Sequence, residues 1–356
     1  MNESSLPLVI TMGDAAGIGP EIIAKTFRDD PEGMRGIFVA GDVETVRRAT
    51  HVIAAAGQPA LPVAAIAAPH EAWQVPPRCI AVLQMEPALS LLPWGQVNAE
   101  AGAFAGHCVQ WAAKAALRGK VRAMVTAPLH KEALAAAGAP FANFPGHTEM
   151  LQDCAARFLG RPVSEVPVRM MLANDELRTV LVSIHVGLRQ AIDAVTLENV
   201  LQTLRITHES LALVLGQTPR IAVAGLNPHA GEGGLFGREE IDIIEPAIAA
   251  ARALGCAVSG PWAPDTVFMR SRNTPGRKSE FDVVVAMYHD QGLIPVKYLG
   301  VETGVNVTLG LPFVRTSPDH GTAFDIAGTG RADASSLRAA IRMAQALSAT
   351  MDPSPP

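Results

Sequence analysis

The chain has 356 residues, 49% of them hydrophobic and 18% charged, with a formal net charge of −5; this is more than one core usually organises and far from a disordered composition, so two domains or one large α/β domain is expected. No basic run offers a footprint for nucleic acid or an anionic membrane, and no stretch approaches a membrane span. The opening MNESSLPLVITM lacks the charged and long apolar regions of a signal peptide, and the four dispersed cysteines form no CxxC, so a cytoplasmic protein without a disulfide framework or a cysteine-based zinc site is expected.

The run LPLVITM over 6–12 reads as a buried strand, and the glycine-rich MGDAAGIGPEII leads off it into a helix. GIFVAG at 36–41 reads as the next strand. Ala-rich patches at 53–67 and 132–139 read as helix formers or packed small-residue surfaces. A helical pattern over 98–118 precedes the strand RAMVTA at 122–127, and another follows over 130–138. RTVLVSIHV at 178–186, RIAVAGLNP at 220–228 and DVVVAMYHD at 282–290 read as strands, alternating with helical patterns over 194–214 and 238–254. Residues 270–280 read as a polar surface loop and 351–356 as a frayed tail. The alternation predicts a largely parallel sheet covered by helices on both faces. No linker stands out, so the chain is expected to cross between lobes more than once, with its C-terminal part returning to the first.

His51, His70, His107 and His208 lie in helical or featureless stretches and read as structural or surface residues. His185, His229 and His289 end three predicted strands. If those strands are parallel, three imidazoles converge on one side of the sheet, a set suited to a borderline divalent ion. Spacing alone equally allows three unrelated strand-end histidines, since no HExxH ties any pair. Asp265, after Pro264, is a turn or cap aspartate, or an acid of the site. His147 and Thr148 follow Pro145-Gly146 and open a helix, which makes Thr148 an N-cap or the pair an anion site. Lys297, Asn306 and Arg315 are solvated residues, or a set for carboxylate or phosphate. No GxGxxG in strand–helix context, Walker A or GxSxG motif occurs.

Several long strings are more specific: ITMGDAAGIGPE, TAPLHKEAL, FPGHTE, LNPHAGEGGLFG, PDTVF, AMYHDQG, GVNVTLGLPFVRTS and DHGTAFDIAGTG. Through them, from about residue 8 to about 345, the sequence resembles the 4-hydroxythreonine-4-phosphate dehydrogenase family of pyridoxal phosphate biosynthesis, including its paralogues on 4-phospho-threonate and 4-phospho-erythronate. Ala15 stands where that family commonly has proline. The resemblance implies a two-lobed α/β/α fold like isocitrate and isopropylmalate dehydrogenases, with the active site in the cleft between lobes. Residues 1–125 with 305–350 would form the first lobe and 126–304 the second. It implies His185, His229 and His289 as ligands of one zinc, magnesium, cobalt or manganese ion at the interface of a homodimer with a shared active site. His147, Thr148, Lys297, Asn306 and Arg315 match substrate contacts. Asp265 and Lys297 are the candidates for proton transfer, and Gly321, Thr322, Ala323 and Asp325 match a loop that holds NAD or NADP. The implied reaction is oxidation of a small phosphorylated 3-hydroxy acid followed by decarboxylation. The alternatives are a cis-dihydrodiol dehydrogenase of an aromatic dicarboxylate such as terephthalate, and a non-catalytic or acyltransferase-like relative that would lack metal histidines.

Overall fold

Strand β1 (Leu8–Thr11) is buried at every residue, as expected of a parallel strand covered on both faces. The computed structural model describes residues 6–54 and 58–349; the tail at 351–356 lies outside the described residues. Two compact units divide the chain, Met1–Pro167 with Leu311–Pro356, and Val168–Gly310.

The first unit continues through α1 (Gly19–Asp29), β2 (Ile37–Gly41), α2 (Val43–Val52), β3 (Val63–Ile66), β4 (Ile80–Gln84), α3 (Ala99–Leu117), β5 (Ala123–Thr126), α4 (Lys131–Ala136) and α5 (His147–Leu159). The second contains β6 (Arg169–Ala173), β7 (Arg178–Leu181), α6 (Leu188–Asp193), α7 (Leu197–Leu215), β8 (Ile221–Ala224), a π-helical turn over Glu240–Ile244, α8 (Glu245–Ala253), β9 (Val258–Trp262), α9 (Pro264–Ser271), β10 (Val283–Ala286), α10 (His289–Tyr298) and β11 (Val305–Leu309). The chain then returns to the first unit with β12 (Val314–Pro318) and α11 (Ser335–Ser348).

The first unit's strands run in the order β3-β4-β2-β1-β5-β12, all parallel. The second unit's run β11-β6-β7-β10-β8-β9. There β6 is antiparallel to both neighbours, while β7, β10, β8 and β9 are parallel. The expectation of a largely parallel sheet therefore fails at β6 alone.

Local chemistry fixes many boundaries. Asp42 caps α2 by accepting from the Thr45 N–H at 2.8 Å, and Asn98 caps α3 through Glu100 and Ala101. Gly160 and Gly216, both left-handed, end α5 and α7.

Three expectations shift. The Ala-rich patch at 53–67 holds β3, whose register against β4 overrides its alanines. The run at 178–186 stays a strand only to Leu181, and that at 282–290 only to Ala286, so His289 opens a helix instead of ending a strand. The first unit runs on to 167 because α3, α4 and α5 pack together, and it resumes at 311 instead of 305.

Helix α3 meets the following segment at backbone distance. A Cβ added to Gly102 would fall on the carbonyl of Ala133, and one on Gly106 would strike the Phe141 ring. Gly102→Ala should therefore destabilise the protein by about 1–3 kcal/mol despite alanine's better helix propensity. Urea unfolding checks this; an unchanged or raised midpoint would contradict the close packing.

Candidate active site

Parallel pairing puts the carboxyl ends of β7, β10 and β8 side by side, and each is followed by a turn bearing one histidine. His185 and His289 come together, with ring centres 5.7 Å apart at 45°. Two imidazoles on one tetrahedral ion, with metal–nitrogen bonds of about 2.1 Å, hold their centres about 5.4 Å apart, so this pair fits a shared ion. His289 Nδ1 is 2.7 Å from Asp290 Oδ1, which engages that nitrogen and orients the ring.

His229 stands apart from that pair. It begins five consecutive left-handed residues, His229 to Gly233, with φ between 44° and 78°. His185 also sits at positive φ, 23°. Non-glycine residues in this region cost of order 1 kcal/mol or more each, and such outliers gather at functional sites. His229 lines an open pocket of about 690 Å³ with Asp265, Tyr288 and Asp290, its walls formed in part by Phe268 and Ile294. Asp265 lies in the first turn of α9, exposed. Among the described residues of one chain, no group of three His, Cys, Asp or Glu side chains gathers tightly enough to hold a metal.

Lys297 and Asn306 lie away from the histidines within the chain. His289 and Lys297 occupy opposite ends of α10, eight residues and about 12 Å of helix apart. Asn306 pairs with Leu172, which is level with Thr179, two rows back from Leu181 where β7 ends. Strand β11 is also three strand spacings, about 14 Å, from β10.

The first unit carries the remaining substrate candidates. Arg315 on β12 is 3% exposed, and its Nη2 donates to Thr126 Oγ1 at 2.7 Å. Burial pushes its pKa down to about 10, against the opposing pull of Glu149. His147 and Thr148 occupy the first turn of α5, whose N-cap is Gly146, so Thr148 is not the cap. The Nε2 of His147 is sealed from solvent and has no hydrogen-bond partner among the described residues. Burial, then the charge of Arg315, holds this imidazole well below its ordinary pKa. A desolvated guanidinium beside a neutral imidazole is a receptor for an anion.

In the candidate cofactor loop Thr322 is buried and its carbonyl accepts from the Ile18 N–H at 3.0 Å. Gly17 lets the two loops close, since a Cβ there would lie 3.0 Å from the Thr322 Cβ. Ala323 holds φ 40°, and Phe324 stacks on His130 with ring centres 4.5 Å apart. Gly321 and Asp325 are exposed, leaving a glycine edge and a carboxylate open to a ligand. Ala15 is 1% exposed, so the proline-to-alanine departure falls inside a packed turn.

Sequence reasoning missed Thr126, Glu149, Asp290, Glu240 and Gln291. All but Glu240 lie in the long family strings, Thr126 opening TAPLHKEAL, Glu149 closing FPGHTE, and Asp290 and Gln291 following His289; what those strings do not show is the partners each side chain meets elsewhere in the chain.

A family model for the pyridoxal phosphate biosynthetic protein PdxA matches residues 34–344. A 4-hydroxythreonine-4-phosphate dehydrogenase of Beijerinckia indica is 51% identical over 96% of this chain and 95% of its own. A D-threonate 4-phosphate dehydrogenase of Salmonella typhimurium is 46% identical over 96% of this chain and 98% of its own. The crystal structure of a Klebsiella pneumoniae 4-hydroxythreonine-4-phosphate dehydrogenase aligns with a TM-score of 0.82 at 41% identity, covering 97% of this chain and all of the other.

The desolvated Nε2 of the half-buried His147 sets a pH dependence. His147 is held neutral in the folded state, whereas the unfolded chain takes up the proton. Its contribution is therefore complete above the unfolded value of about 6.5 and is lost as pH falls below it, with a slope of at most about 1.4 kcal/mol per pH unit. Urea midpoints measured between pH 7.5 and pH 5, values chosen to bracket that unfolded pKa, should fall less in His147→Gln than in the wild type. Parallel curves would show that this nitrogen is not sealed.

Proposed function

The chain belongs to the pyridoxal phosphate biosynthetic protein PdxA family, and on that premise we propose that it is a cytoplasmic, metal-dependent NAD(P) dehydrogenase that oxidises a short phosphorylated 3-hydroxy acid and then decarboxylates it. The observation that carries the substrate class is the buried Arg315 beside a neutral His147. Such a desolvated guanidinium, bonded to Thr126 and within the field of Glu149, presents a bidentate fork that suits phosphate or carboxylate. The two-lobed, isocitrate dehydrogenase-like arrangement belongs to this reading. No helix among the described residues is long and apolar enough to cross a membrane.

A divalent ion held by His185, His289 and His229 would polarise the substrate hydroxyl and later the keto group. A nicotinamide cofactor on the loop of Gly321, Thr322, Ala323 and Asp325 would supply the hydride acceptor. Asp325 offers acceptors for ribose hydroxyls and would repel a 2′-phosphate, which favours NAD. The carboxylate of Asp265, in the pocket with His229, takes the hydroxyl proton. The ammonium of Lys297 returns a proton to the carbon that has lost carbon dioxide. Arg315, Asn306 and the His147–Thr148 turn hold the anionic ends.

These roles need two copies of the chain. Lys297 and Asn306 sit away from their own histidines, and the two-histidine group lacks a third ligand among the described residues. The histidine turns are flanked by exposed apolar side chains, Val186 and Leu188 after His185, and Leu235 and Phe236 after His229. Such a patch marks an interface, here a homodimer in which one protomer completes its partner's site.

Two experiments test this. NAD reduction with added Mg²⁺, Mn²⁺, Co²⁺ or Zn²⁺ should be seen on 4-phosphohydroxythreonine or 4-phospho-threonate, and Arg315→Ala should lower kcat/KM on them at least about tenfold to a hundredfold. A wild type that prefers an unphosphorylated terephthalate dihydrodiol would overturn the substrate class. His289→Ala and Lys297→Ala should each be inactive, yet unfolding and refolding them together should restore about a quarter of wild-type activity through mixed dimers with one intact site. No recovery in a mixture shown to form mixed dimers would place both residues in one chain's site.

A further inference from the structure

The histidine turns are rooted by side chains that are not themselves candidate ligands. Gln291 Oε1 accepts from the Met287 N–H at 2.7 Å, and its Nε2 donates to the Gly225 carbonyl at 2.7 Å. Met287 precedes His289 by two residues, and Gly225 precedes His229 by four. The one side chain therefore bridges the carboxyl ends of β10 and β8. Ser183 Oγ extends the frame by donating to the Met287 carbonyl at 3.0 Å, which brings in the turn of His185. On the far side, buried Glu240 accepts from the N–H groups of Leu226 at 2.7 Å and Asn227 at 2.8 Å.

The frame matters because the contacts of His229 itself, Glu232 at 3.6 Å and the Phe236 ring at 6.3 Å between centres, lie in the same turn and do not tie it to the sheet. The His229 side chain is 64% exposed and its turn is left-handed for five residues, a conformation that does not hold itself. What sets the turn is where it is anchored. At that anchor the bridge must accept at one end and donate at the other, both from a neutral group, because Met287 and Gly225 are buried. A side-chain amide does this; a carboxylate would face the Gly225 carbonyl with a second acceptor, and leucine would leave both groups unmet.

We propose that Gln291, whose side chain also lines the pocket of His229, is a positioning residue that fixes the His289 turn and the His229 turn of its own chain through Met287 and Gly225. The inference rests on the reading of both histidines as ligands of a divalent ion.

The test is a double-mutant cycle with Co²⁺ alone as the probe, titrated into the purified metal-free protein below its unfolding temperature and followed by visible absorption. In metal-free Gln291→Leu the Met287 amide should exchange with deuterium faster than in the wild type. The Co²⁺ affinity should fall about 10- to 100-fold, as for other groups that orient a ligand. His229→Ala should also lower it, and the double variant should lose less than the product of the two single losses, because the part of the Gln291 effect that runs through the His229 turn is then already gone. Gln291→Asn, which keeps both groups but is one methylene short, should shift affinity in the same direction and covers the case in which the leucine variant does not fold. Wild-type affinity in both Gln291 variants beside a weakened His229→Ala would overturn the inference alone, as would losses that multiply in the double variant. Unchanged affinity in His229→Ala would remove the ligand reading and this inference together.

Discussion

The parallel adjacency of β7, β10 and β8 is the constraint on which the second unit's chemistry depends. Parallel strands all end on the same edge, so whatever follows each one is delivered to one place. The same topology sends the helices back. Since α10 starts at that edge with His289, its far end carries Lys297 away by the length of the helix. Strand order then separates Asn306 sideways. His185 and His289 are thus separated from Lys297 and Asn306 by connectivity alone.

Within that frame, buried polar groups do the positioning and surface ion pairs do little. Arg238–Asp242 and Arg47–Glu44 make short contacts, but pairs this exposed contribute about 1 kcal/mol or less. Buried Glu240 and Glu21 are a different case. Glu21 on α1 accepts from the N–H groups of Gly330 at 3.2 Å and Ala332 at 2.9 Å, and pairs with Lys25 at 3.1 Å. Each carboxylate clamps the backbone of a remote segment, the stretch after the loop of residues 321–325 in one case and the root of the His229 turn in the other. Removing either would leave these N–H groups without their acceptor, at a cost of about 1–3 kcal/mol where the group is buried, as that of Ala332 is, and less where it is part-buried.

Much of the second unit's plan was legible because its strands are short apolar runs that end in unusual polar strings. RIAVAGLNP and DVVVAMYHD gave β8 and β10 with errors of a few residues at the far ends. Strand β9 stayed hidden because Gly260 and Pro261 interrupt it, tolerable in a strand that ends its unit's order. Strand β6 carries no sign of its direction, which is decided by neighbours and not by composition. The histidines were legible as chemistry but not as geometry: nothing local says that His185 meets His289 while His229 does not. The partners of Gln291 and Glu240 were hidden for a related reason. The roles of these two side chains are defined by backbone groups 66 and 14 residues away, respectively.

The discontinuity of the first unit also bears on how the protein is made. Strand β12 supplies both the last neighbour of β5 and the arginine that meets Thr126, yet it emerges only after the whole of Val168–Gly310. Through that interval of synthesis β5 presents an open edge, the kind of surface that recruits foreign strands. A circular permutant opened near Leu311 would place β12 and α11 ahead of β1, so that the first unit could close before the second was translated.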